Sequence, residues 1–386
     1  MKVLVLAEYY PRSADPTLGV WAHRQALAAR DAGADVRVLV LHRPLPPLAA
    51  LRRLDLTALG QAVRQPAAAI LDGLPIQYVR YLSPPRPWSY ARWGAWAAPV
   101  LRRALAGIHA RFGFDLVHAH YAIPAGDALR RAAPDVPLLV SVHGGDVHGP
   151  HAGASTVRDT LAHARLVLAN SAGTARRCRE RGARCTRVVH LGAELPPRPS
   201  SPPAEPTLVT VGHLVARKRH ADVIQALAIL RDRHPRLRYE IVGDGPERVA
   251  LSQLAASLGV QDRVTLLGRL GPADAAAHAH RATLFVLPSV AEAFGVAYIE
   301  AMAGGVPAIG CRGEDGPEEI ASCGGGIELV APRDPRSLAA TIDALLGDPA
   351  RLASLRAQAR ETIAEQFTWH RCGSETVAAY RDVLGR

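Results

Sequence analysis

Short apolar runs alternate with amphipathic stretches along most of the chain. In the first half the runs are VLVLA, DVRVLVL, DLVHAH, PLLVSVH, RLVLA and TRVVHL, with helical patterns between most of them. Such runs predict strands covered by helices, hence a doubly wound parallel sheet. A second set starts with TLVTVGHL and continues through YEIVGDGP, VTLLGRL, residues 282–287 and residues 306–310. Helices are expected from Val20 to Ala32, from Ala221 to Arg233 and from Val296 to about Ala303. Two more, Ser337 to Gly347 and about Ala350 to Ala364, are amphipathic and read as surface cover. Between the two sets, residues 195–206 (LPPRPSSPPAEP) hold six prolines and continue neither helix nor strand, so they read as a stiff linker. A chain of 386 residues also exceeds what one core usually serves. The expected architecture is α/β, with one Rossmann-like domain over residues 1–194 and a second over residues 207–366.

Between Pro44 and Phe112 the alternation weakens. LAALRRLDLTALGQAVRQ carries leucines and arginines at helical spacing, and Trp88, Tyr90, Trp93 and Trp96 precede an Arg-bearing helix expected from about Ala97 to Arg111. Aromatic rings beside arginines suit a membrane interface, where the ring sits at headgroup depth and the guanidinium meets phosphate. The same rings would equally serve a helical excursion that packs them on the sheet.

Charge separates the two halves. The net charge is +11, and residues 1–196 hold 25 Lys and Arg against 13 Asp and Glu, a net +12, leaving 21 against 22 in the remainder. A basic first half favours an anionic surface or substrate, although an Arg-rich composition also serves solubility. No nucleic-acid partner is read from it. No run of eighteen apolar residues exists, and Met1 leads straight into a strand pattern, so a cytoplasmic protein is expected, with any membrane contact peripheral. The five cysteines, Cys178, Cys185, Cys311, Cys323 and Cys372, form no CxxC pair and read as reduced thiols.

Candidate chemistry sits at strand ends. No GxGxxG follows the first strand, which disfavours a dinucleotide-dependent dehydrogenase; the loop there is long and holds Gly19, which could let the backbone approach a substrate. His143 ends a strand and is followed by Gly144, Gly145 and Asp146, placing an imidazole at the sheet's carboxyl edge. His118 and His120 share one face of a neighbouring strand, with no third ligand to suggest a metal. ARKRH, residues 216–220, puts basic groups directly before a helix, opposing the macrodipole unless an anion lies near. GCRGEDGP, residues 310–317, is a strand-to-helix loop whose acids are expected to be exposed.

The densest pattern is PSVAEAFGVAYIEAMAGGVP, residues 288–307: a strand, a loop with Gly295, then a helix N-terminus, the usual place for a phosphate in an open parallel sheet. Glu292 lies in the loop and Glu300 on the helix among small neighbours, where an acid either caps something buried or reaches a ligand.

This stretch resembles the E-x7-E motif of the retaining glycosyltransferases of family 4, which share the two-domain GT-B fold with a cleft between the domains. The resemblance implies that Glu292 contacts donor-sugar hydroxyls, that Glu300 holds the ribose, and that the turn Phe294, Gly295 and Val296 meets the diphosphate. The HGxD pattern also resembles the family, in which this His, His143 here, contacts the donor sugar. Family members grip the diphosphate with an Arg and a Lys five residues later; Lys218 matches the Lys, His213 stands at the Arg position with Arg217 a substitute, and Arg219 replaces a common Gly. Gly268 matches a turn near the base and ribose. Residues 367–386 resemble a terminal helix that crosses back to the first domain.

The resulting expectation is a metal-independent hexosyltransferase without a cofactor, with His143, Lys218 and Glu292 at the reaction centre. Its partners would be a nucleotide-sugar donor and a glycan or polyprenyl-linked acceptor, as in members that build exopolysaccharide or teichuronic acid chains. A nucleotide-sugar epimerase of similar fold and a non-catalytic nucleotide-sugar sensor are the alternatives.

Overall fold

Each apolar run becomes a strand, and the strands assemble into two sheets. The computed structural model describes residues 1–45, 60, 64–201 and 203–385, and it divides into two units, Met1–Leu191 with Trp369–Arg386, and Gly192–Thr368. Among the described residues the first unit holds β1 (Lys2–Ala7), β2 (Asp35–His42), β3 (Ala68–Leu71), β4 (Leu74–Arg80), β5 (Leu116–His120), β6 (Leu138–Ser141), β7 (Leu166–Ala169) and β8 (Thr186–Val188). Their order is β3-β4-β2-β1-β5-β6-β7-β8, and every pairing is parallel except β3 with β4. β1 pairs with β2 on one side (Val5 opposite Val38) and with β5 on the other (Val5 opposite His118). The chain therefore reverses its direction of travel across the sheet between β1 and β5, which makes that edge a topological switch point.

The weakly patterned region holds more regular structure than its alternation suggests. β3 and β4 form an antiparallel hairpin through Asp72 and Gly73, both at positive φ (48° and 79°), as a two-residue turn of this hand requires. The Asp-Gly pair between AAIL and LPIQYVR was its signal. The leucine–arginine helix expected over residues 48–65 lies largely outside the described residues. The helix expected from about Ala97 begins earlier, at Trp93, and runs to Phe112; Pro99 lies inside it, past the first turn, and removes one N–H from the helical ladder. A helical turn, Arg86–Ser89, and a 3-10 turn, Tyr90–Arg92, precede it. The rings differ in burial. Trp93 and Tyr90 are buried, donating from Nε1 to Ser89 Oγ at 2.9 Å and from the hydroxyl to the Ile123 carbonyl at 2.9 Å, while Trp88 and Trp96 are 75% and 51% exposed.

The C-terminal helix Trp369–Leu384 belongs to the first unit and packs on Val20–Asp31. Gly373 makes this possible: a Cβ there would lie 2.1 Å from the Ala28 carbonyl oxygen. Gln25 Nε2 donates to Thr376 Oγ1 at 3.0 Å, and the Tyr380 hydroxyl meets His118 Nδ1 at 2.8 Å.

The second unit contains β9 (Thr207–Val211), β10 (Arg238–Val242), β11 (Val264–Gly268), β12 (Leu284–Val286), β13 (Ala308–Cys311) and β14 (Ile327–Val330), parallel throughout in the order β11-β10-β9-β12-β13-β14. Its switch point lies between β9 and β12. Leu208, Ile241, Leu284 and Ile309 pack here with Val223 and Leu227 of the helix His220–Leu230 and with Leu338 and Ile342. The two late helices run Pro335–Leu346 and Pro349–Gln366, a little longer than the apolar pattern marks, because each opens on Asp-Pro. Asp334 accepts from the amides of Arg336 and Ser337, and Asp348 from that of Arg351, with Pro at the first helical position. The proline-rich stretch is strapped to this unit: Arg356 Nη2 donates to the Ser200 carbonyl at 2.7 Å and Arg360 Nη2 to that of Pro196 at 2.5 Å.

Candidate functional site

In the second unit the loops after β9 and β12 emerge side by side at the switch point, and the Val290 amide donates to the Arg217 carbonyl at 2.8 Å, tying one loop to the other. This brings Lys218 onto Glu292 across 74 residues of sequence. Lys218 Nζ lies 2.5 Å from Glu292 Oε2, Ser289 Oγ donates to the same oxygen at 2.9 Å, and Arg217 Nη1 stands 3.5 Å away. The two paired side chains are only 12% and 10% exposed. Burial alone would push Glu292 up; the Lys218 and Arg217 cations and these hydrogen bonds outweigh it and hold the carboxyl below its ordinary range, ionised at neutral pH. From behind, Glu314 accepts from the Glu292 amide at 2.9 Å, and the Gly316 amide donates to the Glu292 carbonyl at 3.0 Å. Loop residue Ala291 sits at φ 56°, a left-handed conformation that costs energy for a residue with a Cβ and accumulates at functional sites.

Gly295, at φ 83°, opens the helix Val296–Ala303; a Cβ on it would meet the Tyr298 ring at 2.5 Å. That helix carries no acidic side chain in its first turn and no side-chain cap, so its leading amides retain their pull on an anion. Phe294 is buried with its ring 5.8 Å from that of Phe367, so only its backbone belongs to the turn. Val296 is half-buried as the helix's first residue. Glu300 lies on the exposed face of the helix, contrary to a buried cap, because Tyr298, Ile299, Ala301 and Met302 occupy the inner face.

The basic run before His220 is reduced by its own contacts. Burial holds His220 down at about 4, so it is neutral. Arg219 takes φ 58°, the conformation a Gly would adopt freely, and forms a two-pronged pair with Asp222 at 2.9 and 2.6 Å. Arg217 and Lys218 remain, both directed at Glu292. His213 is exposed, with its carbonyl 3.4 Å from His220 Nε2. Gly268, at φ 76°, ends β11 with open space where a Cβ would stand. The loop at residues 310–317 is less exposed than expected: Asp315 is buried and Glu314 anchors Glu292. Nothing in its spacing marks that role, which needs β12 and β13 as neighbours.

In the first unit His143 follows β6 and is buried, its Nε2 3.1 Å from His120 Nδ1 and its ring 4.6 Å from that of Tyr121 and 6.0 Å from that of Trp21. Burial pushes His143 down to about 3, so the ring is neutral. Asp146 staples two strand ends, accepting from the amides of His143 at 3.2 Å and Ala122 at 3.1 Å. His118 is saturated by Tyr380 and by Ser141 Oγ at 2.7 Å, a structural post. Gly19, at φ 66°, opens the helix Val20–Asp31, yet its open side faces the chain itself: a Cβ would lie 2.1 Å from the Tyr9 carbonyl oxygen. The absence of a side chain there lets the loop close against the Tyr9 backbone. Among the described residues no group of three His, Cys, Asp or Glu side chains could hold a metal ion, and no helix is long and apolar enough to cross a membrane.

Two family descriptions match in tandem: Glycosyltransferase Family 4 over residues 18–195 and Glycosyl transferases group 1 over residues 193–362. A 2-deoxystreptamine glucosyltransferase of Streptomyces kanamyceticus is 29% identical over 327 residues, covering 76% of this chain and 83% of that protein. An exopolysaccharide phosphotransferase of Streptomyces coelicolor is 40% identical over 166 residues, 42% of this chain and 17% of that protein. Against a glycogen synthase of Mycobacterium tuberculosis the identity is 33% over 183 residues, and the chain spans 44% of that relative. In fold, sucrose-phosphate synthase from Thermosynechococcus elongatus covers both chains completely at TM-score 0.78 and 21% identity. Anabaena HepE in complex with UDP and glucose matches at TM-score 0.71, 21% identity, over 99% of this chain and all of that one. The two Rossmann-like units are those of the GT-B fold, and the chain belongs to the family 4 glycosyltransferases.

Proposed function

We propose that the protein moves a hexose from a nucleotide-sugar donor to a hydroxyl of a glycan or polyprenyl-linked acceptor in cell-surface polysaccharide synthesis, with retention and without a metal, in the cytoplasm. The observation that carries this reading is the convergence of Lys218, Arg217 and Ser289 on Glu292 beside an uncapped helix N-terminus. In the reaction the acceptor hydroxyl oxygen bonds to the anomeric carbon and gives up its proton to the departing diphosphate oxygen, while the bond from that carbon to the diphosphate breaks. The electron pair stays on the diphosphate, whose growing charge Lys218, Arg217 and the amides of Gly295 and Val296 would stabilise. Glu292 would then exchange part of its contact with Lys218 for the sugar hydroxyls, Glu300 would take the ribose, and Gly268 would border the base. The UDP and glucose in the HepE complex and the glucosyltransferase among the relatives support a donor of this kind.

Calorimetry with UDP, GDP, ADP and TDP in EDTA tests this directly. One nucleotide is expected to bind, and Glu300→Ala to weaken it by about 1.5–3 kcal/mol, the worth of a hydrogen bond to a charged group. If none binds in EDTA and the substitution changes nothing, the donor site is misplaced. Membrane contact has a separate test. Leu82, Trp88 and Trp96 are exposed within one stretch that also exposes Arg92, a combination suited to an anionic bilayer. The protein is expected to sediment with anionic vesicles at low salt, and Trp88→Ser with Trp96→Ser to abolish this. Failure of the parent protein to sediment would remove the membrane from the proposal.

A further inference from the structure

A strand covered by helices on both faces reads as a continuous apolar run, because each face is buried. β2 departs from this once: DVRVLVLH holds Arg37 between the buried Val36 and Val38, and Arg37 itself is half-buried. A cavity of about 440 Å³ accounts for the exception. Its floor belongs to β1, β2, β4 and β3, and one wall is the C-terminal end of the helix Trp93–Phe112. Leu4 stands opposite Arg37 and Pro75 opposite Ile70, and the pairing of Val38 with Ile76 sets both pairs in one row. The helix adds Ile108 and, three residues on along the same face, Arg111. A volume of this size falls within the range of small-molecule sites, about 300–1,000 Å³.

The lining has two characters. Leu4 and Ile108 are buried and apolar, and Ile70, 77% exposed on the edge strand, carries the apolar surface out to solvent. Arg37 and Arg111 supply positive charge. The Arg37 guanidinium is held over the Phe112 ring, 4.4 Å from its centroid, and Lys2 Nζ reaches the same ring at 5.8 Å. Among the described residues neither Arg37 nor Arg111 is paired with a carboxylate. A basic residue in the last turn of a helix is ordinarily explained by the macrodipole, and Arg111 has that reason to be there. Arg37 is on a strand, which the dipole does not explain. Two cations beside an apolar floor match a ligand with an anionic head and an apolar body. A bare anion would leave the floor in water, and a neutral apolar molecule would leave the cations unmatched.

The place is not that of the transfer chemistry. The row crosses β1 at Leu4 and β4 at its second residue, toward the amino ends of the strands. Glu8, just after β1, and His143, after β6, stand at the carboxyl ends, where ligands of an open parallel sheet gather. We propose that this cavity is a second ligand site, built for one molecule of an amphiphilic anion of the alkyl phosphate class. Arg37 and Arg111 take the phosphate, and the apolar row with Ile108 takes the chain. No covalent bond is made, and the site stands on the first unit alone, independent of the transferase reading.

The test uses calorimetry on the full chain with octyl phosphate below its micelle-forming concentration, and with octanol and inorganic phosphate as the two halves of that probe. Octyl phosphate is expected to bind at one site per chain, and each half at least about tenfold more weakly, since a hydrogen bond to a charged group and the buried chain both contribute. Arg37→Gln with Arg111→Gln should bring octyl phosphate down to the level of octanol. Ile70→Glu should weaken octyl phosphate by about tenfold, because it sets a like charge at the cavity; as Ile70 is exposed, this variant folds whatever the arginines contribute to stability. Octanol binding as well as octyl phosphate, or inorganic phosphate doing so, would overturn the proposal, as would absence of binding. Octyl phosphate binding that every substitution leaves unchanged would place it at the anion site of the second unit and overturn it too. Two other occupants have their own signatures. A dimer that Ile70→Glu dissociates, or sedimentation with anionic vesicles that Ile70→Glu abolishes, each without binding of monomeric octyl phosphate, would assign the face to a second copy or to a bilayer and overturn the site.

Discussion

Lys218→Met should destabilise the second unit by about 3–5 kcal/mol, because it leaves Glu292 charged and buried without its cation. The defect has a characteristic pH dependence. In the parent protein Glu292 is held below its ordinary pKa, a contribution to stability present above 4.5 and lost as pH falls through the folded value. Without Lys218 the burial effect gains on the remaining Arg217, the carboxyl rises, and stability is lost instead as pH increases. The gap between the two proteins should therefore be widest at neutral pH and close toward pH 4. Chemical denaturation across that range measures it, and a gap independent of pH would show that the pair is not the cause. Adding Glu292→Gln should restore most of the stability by removing the stranded charge, while nucleotide binding stays lost. Recovery of binding in the double variant would contradict a role for Lys218 at the diphosphate.

Gly373→Val should have the largest effect on the first unit. Its side chain would begin 2.1 Å from the Ala28 carbonyl oxygen, a backbone atom that cannot swing away, so the helix Trp369–Leu384 must lift from Val20–Asp31. Overpacking of this kind costs about 1–3 kcal/mol and more where backbone must move. Lifting the helix also removes the Tyr380 hydroxyl from His118, whose ring is buried and pushed down to about 3, leaving a ring nitrogen without its partner. The expected result is early unfolding of the first unit, followed by hydrogen exchange at β1 and β5, with nucleotide binding by the second unit intact. Simultaneous loss of both would mean that the units are not separable in stability.

These two sites differ in how visible they were in the chain. Glu292, Gly295, Glu300 and Lys218 stand in local patterns, a strand running into a loop and a helix, where spacing and residue type already suggest a phosphate site. The role of Glu314 did not, although it accepts from the backbone amide of Glu292, a residue that was singled out. Its partner is set by strand neighbours, and strand order is not written in any local period. Arg219 and His220 illustrate the reverse error: counted as charge beside a helix N-terminus, they are respectively tied to Asp222 and buried neutral, because a composition count does not see pairing or desolvation.

The sequence by itself determined the element types, the two-part organisation and the E-x7-E pattern, since apolar periodicity, proline punctuation and turn glycines act over a few residues. Only the tertiary structure decided which strands adjoin, and with that the meeting of Lys218 and Glu292 at one switch point and the gathering of Glu8, Tyr121 and His143 near the other. It also decided that the last helix completes the first unit, because Gly373 fits against Ala28 only when residues some 345 positions apart are folded onto each other. Burial then set the protonation of the groups so assembled, holding His143 neutral, lifting Glu8 and keeping Glu292 ionised through its cations.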